Sequence, residues 1–138
     1  MEARVYLNQI EAYGCKIRNK IEEKAMWQEL ATGTSVAMGG ERVQSSGAHD
    51  KMARCVAECV ALDAEIAELK EKIREIIRTI EELAVESYDV LHKIYVQGMS
   101  HKELLICYQK SSSWEKETHK RALEELQDVL DTRTLKSA

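Results

Sequence analysis

Three features of this sequence predict an all-α fold. Its 138 residues include no proline, where about 5% is usual, and proline both removes an amide donor and clashes inside a helix. Glu, Lys, Ala, Leu and Ile dominate, mostly good helix formers, while phenylalanine is absent and clusters of Val, Ile, Thr and Tyr are rare. The third feature is a heptad run. Cys55, Cys59, Leu62, Ile66, Leu69, Ile73, Ile76, Ile80 and Leu83 follow one another at alternating steps of four and three, the a/d seam of a helix that packs lengthwise on another.

The elements follow in chain order. Leu7, Ile10, Ile17, Ile21 and Leu30, with Met26 and Trp27, recur at helical steps and predict a first helix over 2–31, interrupted on its face by Gly14, Lys24 and Gln28. From Thr32 to Gly47 the chain turns to Gly, Ser and Thr without an apolar period, which predicts a flexible loop at 32–49. The heptad helix then spans about 50–86, with Asp50 as its N-cap and a length of ~55 Å. Such a helix cannot bury its seam alone. Either the first helix folds back as an antiparallel partner or a second chain supplies one.

Tyr88, Leu91, Ile94 and Tyr95 mark a third helix that stops at Gly98, a residue suited to a helix C-cap. Ser100 with Glu103 is a capping box opening a fourth helix to about residue 108. Gln109 and Lys110 make a tight turn, and Ser111 caps a fifth helix to about Asp131, with Trp114, Thr118, Ala122, Leu126, Val129 and Leu130 along one side. Two helices joined by so short a turn form a helix-turn-helix. The expected architecture is a long antiparallel helical hairpin, a coiled-coil-like arm over 1–86, followed by a small helix-turn-helix bundle over 87–138.

Charge and cysteine usage narrow the function classes. The net charge is −4, whereas a nucleic-acid footprint is normally basic. From Ser87 onward, however, 8 basic and 8 acidic residues balance, so the acidic excess lies in the first 86 residues. Cys15, Cys55, Cys59 and Cys107 include no CxxC pair and have no histidine at zinc-ligand spacing, so they read as small apolar residues of a reducing compartment rather than metal ligands. No signal-like start and no run of 18 apolar residues occurs, which predicts a cytoplasmic protein without a membrane partner. No G-x-S-x-G, P-loop or H-E-x-x-H is present, and His49, His92 and His119 have no nucleophile at a recognisable spacing. No enzyme and no cofactor are expected. The pairs Glu22–Glu23, Glu81–Glu82 and Glu124–Glu125 read as solvated helix surface, and Trp27 and Trp114 as core or interface anchors.

One constellation carries more. Tyr88-x2-Leu91-x2-Ile94-Tyr95-Val96-x-Gly98-Met99-Ser100-x2-Glu103-Leu104-Leu105, then Ser111, then Lys120-Arg121-Ala122-Leu123-x2-Leu126, resembles region 4 of sigma-70-type sigma factors. The whole order, including the Gly40-Glu41-Arg42-Val43-Gln44-Ser45-Ser46-Gly47 segment, resembles phage and prophage proteins of Gram-positive bacteria related to the RinA and ArpU types of transcriptional activator. That segment reads equally as a binding loop or a connector. The resemblance implies a sequence-specific regulator that binds double-stranded DNA in a bacterial host cell, its helical arm serving dimerisation or contact with host RNA polymerase.

Carried over residue by residue, the resemblance places Ser112, Ser113, Lys116 and Lys120 at the major groove, with Arg121, His101 and Lys102 flanking the backbone. The chain departs from the pattern in two ways. Gln109 stands where the turn usually has glycine, which makes a positive φ more costly. Glu115 stands where an apolar residue is usual, so Trp114 is expected to take the core position and leave Glu115 and Glu117 to repel phosphate. Those acids favour the alternative, a protein-interaction module that binds a polymerase subunit or a phage assembly factor.

Overall fold

The computed structural model describes residues 1–37 and 45–137. Among them the chain is all-helical. α1 spans Ala3–Ala37, α2 Ser45–Ile80, α3 Val85–Leu91, α4 His101–Tyr108 and α5 Ser112–Ser137, and α3 widens directly into a π-helical stretch, His92–Val96. Helix therefore replaces much of the expected loop: 32–37 extend α1 and 45–49 open α2, so Asp50 is an interior residue and not an N-cap. The rest of the loop, 38–44, lies outside the described residues. At its other end α2 stops at Ile80 rather than near 86, closed by Glu82 N–H donating to Thr79 O and Leu83 N–H to Ile80 O at 3.2 and 3.1 Å.

The chain divides into two compact units, one of Met1–Tyr13 with Lys72–Ala138 and one of Gly14–Glu71. α1 and α2 each contribute to both.

In the first unit a continuous apolar core joins Ala3, Leu7 and Ile10 of α1, Ile76 and Ile80 of α2, Leu91 of α3, and Ala122, Leu126 and Leu130 of α5. Polar groups inside it are matched. The buried Thr79 hydroxyl donates to Glu75 O at 2.9 Å and accepts from Tyr6 Oη at 2.9 Å and Arg133 Nη1 at 2.7 Å, which uses its one donor and both acceptor sites. α5 also caps two other helices. Gln127 Oε1 accepts from the Ala3 amide at 2.7 Å while its Nε2 donates to Met1 O at 3.0 Å. Glu125 accepts from the Ala84 amide at 3.3 Å and from Ser87 Oγ at 2.5 Å, at the start of α3. Glu125 is thus a capping group and not the solvated surface carboxylate expected from sequence, because α3 begins after an alanine with no capping side chain of its own.

In the second unit the α2 seam is covered by its own chain. Cys55, Leu62, Ile66 and Leu69 are buried, and Lys20–Glu65 (3.0 Å), Lys24–Asp63 (2.9 Å) and Arg54 over the Trp27 ring (5.4 Å) set the two segments in opposite directions. The α1 side of the pairing differs from expectation. Ile21, Met26 and Leu30 are exposed, and the half-buried positions are Ile17, Lys20, Lys24 and Trp27. Lysine stems can cover apolar surface while their ammonium groups reach carboxylates at the rim.

Candidate nucleic-acid interface

The region singled out by sequence is α4, the turn after it and the first turns of α5, all in the first unit. α4 starts where its residues dictate. Ser100 Oγ accepts from the Glu103 amide and Glu103 Oε1 from the Ser100 amide, each at 3.2 Å, a reciprocal capping box. Upstream, Gly98 takes φ +70°, closing the π-helical stretch as a positive-φ residue should. Gln109 ends α4 in the left-handed region with φ 54° and ψ 43°, its amide donating to Leu105 O at 2.8 Å. The turn therefore keeps a positive φ without glycine. Ser111 Oγ then accepts from the Trp114 amide at 3.2 Å and opens α5.

Packing fixes the orientation of α5. Leu104 of α4 and Thr118, Ala122 and Leu126 of α5 are almost wholly buried. Glu115 lies on this same inward stripe and is 6% exposed, so it does not project toward a ligand as expected. The steps from 115 to 118, 122 and 126 keep it on the inward face, and Trp114 stays half-buried, tilted against Tyr108 with ring centroids 5.0 Å apart. The buried carboxylate is tolerated because His101 Nδ1 reaches it at 3.1 Å. His101 Nε2 lies 3.5 Å from Ser112 Oγ, at the long limit of a hydrogen bond.

Two further networks brace the region. Tyr108 donates its hydroxyl to Asp89, whose other oxygen accepts from Lys93 Nζ at 2.6 Å, and Lys93 also sits over the Tyr108 ring at 5.5 Å. Burial raises the Asp89 pKa, but the hydrogen bonds from Lys93 and Tyr108 outweigh it and leave the carboxyl below its ordinary value. Burial and the Asp89 hydrogen bond drive the Tyr108 phenol well above its usual range. On the other side Tyr95 Oη and His119 Nε2 are 2.9 Å apart. Burial first, and then the Arg4 charge, lower the His119 pKa, while burial raises that of Tyr95. Both shifts favour the neutral forms of the pair, and the tautomer of the imidazole sets which of the two donates.

The expected contact residues divide into two groups. Ser112, Ser113, Lys116, Lys120 and Lys102 are exposed, and among the described residues none of the three lysines is ion-paired. His101 and Arg121 are engaged: His101 with Glu115, and Arg121 Nη2 with Glu86 Oε1 at 2.5 Å. Arg4, which is outside the expected set, shares with His119, Lys120 and Leu123 the wall of an open groove of about 360 Å³. No local pattern marks it, since α1 and α5 lie at opposite ends of the chain.

Such a surface can offer hydroxyls and mobile ammonium groups to anionic oxygens. Among the described residues no group of three His, Cys, Asp or Glu side chains could hold a metal ion, and no helix is long and apolar enough to cross a membrane. Comparisons with family models, with curated proteins and with solved structures find no match.

Proposed function

We propose that this chain is a sequence-specific regulator of the phage and prophage type that binds double-stranded DNA with α4, the turn and α5 acting as a helix-turn-helix. α1 and α2 would form its antiparallel helical hairpin, a surface for host RNA polymerase or a second copy. The observation that carries the reading is the exposed, unpaired Lys116 and Lys120 beside Ser112 and Ser113, on a helix whose inward face is fixed against α4. A major-groove helix needs its first turns exposed and its register fixed, with cations to neutralise phosphates. Burial of Glu115 also removes one of the two acids that weighed against phosphate contact, and the exposed Lys120 interrupts any acidic strip between Glu117 and Glu124.

The test is selection of fragments bound from a phage genome of a Gram-positive host at moderate salt. The unaltered protein is expected to enrich a common sequence, and a Lys116→Ala/Lys120→Ala variant to lose that enrichment. Equal, unselective recovery by both would remove the DNA assignment. A second reading, a protein-binding module, draws on Val85 and Ile106, which stand 82% and 77% exposed. It predicts capture of a polymerase subunit or assembly factor that Ile106→Ser weakens.

A further inference from the structure

We infer that the phosphate-contacting surface is composite, with Arg4 of α1 joining Lys116 and Lys120 of α5 on one DNA backbone; the inference rests on the DNA-binding reading above. Lys116 and Lys120 are four residues apart and share a face of α5. Arg121 is turned ~100° away from Lys120 and is tied to Glu86 at 2.5 Å, so the cationic surface does not extend on that side. On the other side it does. The Gln127 bonds to Ala3 and Met1 fasten the first turn of α1 to α5, and Arg4 and Lys120 both line the groove of about 360 Å³.

Arg4 and Lys120 are both exposed, and among the described residues neither is ion-paired. Glu2 and Glu124 border the groove but are paired with neither cation. The walls between are apolar, Ala3 being buried and Leu123 half-buried, and low-dielectric walls strengthen the field of cations set in them. Arg4 is also close enough to His119 for its charge to add to burial in lowering the imidazole pKa. Two unpaired cations lining one such groove are complementary to a backbone phosphate, and the guanidinium can bind two of its oxygens at once.

The test is a salt titration of the full chain binding a labelled mixed-sequence DNA duplex. The unaltered protein is compared with Arg4→Ala, Arg4→Lys, Arg121→Ala and Lys116→Ala/Lys120→Ala. Arg4→Ala is expected to weaken binding several-fold and to reduce the slope of log affinity against log salt by about 1, the share of one phosphate contact. Arg4→Lys should recover most of the slope, and Arg121→Ala should leave it unchanged. Unchanged helicity by circular dichroism separates these effects from unfolding. If Arg4→Ala keeps the full slope while the double lysine variant loses it, the composite surface is wrong and the DNA reading stands. If the unaltered protein binds no duplex, both fall, and binding of an acidic peptide in its place would assign the groove to a protein partner.

Discussion

Glu115 shows how a single residue can mislead. Its charge suggested a solvent position, but its place in the 115–118–122–126 series puts it inside, and there His101 answers it at 3.1 Å. The partners are unequal, since the His101 side chain is 48% exposed and that of Glu115 only 8%. Removing the histidine strands a buried carboxylate, whereas removing the carboxylate frees an imidazole that water can solvate. His101→Ala should therefore destabilise the fold by about 1–3 kcal/mol, and Glu115→Met should be close to neutral, both read from urea unfolding midpoints. A larger loss for Glu115→Met would show that the carboxylate contributes more than its partnership with His101. Tyr95 and His119 supply the pH-dependent counterpart. The folded His119 pKa lies below the ordinary value of 6.5, so on acidification the unfolded chain takes up this proton first. Its contribution is complete above about pH 6.5 and declines as the pH falls from there toward the folded value. Denaturation midpoints between pH 7.5 and 5 should show this decline, and His119→Gln should flatten it.

The elements were legible in sequence wherever a helix is ended by its own neighbours. Ser100 with Glu103, Gly98 and Ser111 all act at the positions their local chemistry indicated. Gln109 occupies the left-handed conformation that the turn demands, and an L side chain there costs about 1–2 kcal/mol. Gln109→Gly is expected to raise stability by about 1 kcal/mol, less than the full strain because glycine also gains freedom in the unfolded chain; thermal melting checks it, and no gain would place the strain elsewhere. Caps supplied from a distance were not legible. The start of α3 is satisfied by Glu125, 41 and 38 positions from its two partners, and that of α1 by Gln127, 124 positions away. Glu125→Ala should cost about 1 kcal/mol and speed amide exchange in the first turn of α3, while leaving the opening of α4 unaffected. The π-helical stretch His92–Val96 was equally hidden, because its residues keep an apolar spacing that ordinary helix satisfies.

At the scale of the molecule the two units differ in what covers them. The first gathers segments of α1, α2, α3 and α5 around one core. In the second, no α1 residue with a described side chain from Gly14 onward is buried, and Ile21, Met26, Leu30, Met52, Val56 and Val60 are exposed. Fewer buried contacts mean cheaper local opening. Hydrogen exchange should therefore be faster for amides of 17–32 and 50–66 than for those of 76–80 and 118–130. Uniform protection across both sets would mean that a further partner covers the second unit in solution.

The sequence by itself determined the helical class, the nine-residue heptad seam, whose members are all buried or half-buried, and the local caps that separate α4 from α5. These depend on periodicity and on hydrogen bonds within a few residues, both written in adjacent letters. The tertiary structure decided which charged side chains of α4 and α5 remain available. It buried Glu115, tied up His101 and Arg121, lent Gln127 and Glu125 to distant helices, and brought Arg4 to the groove beside Lys120. Each of these depends on side chains far apart in the chain meeting through a shared core, where burial and pairing, rather than residue type alone, set what a charge can do.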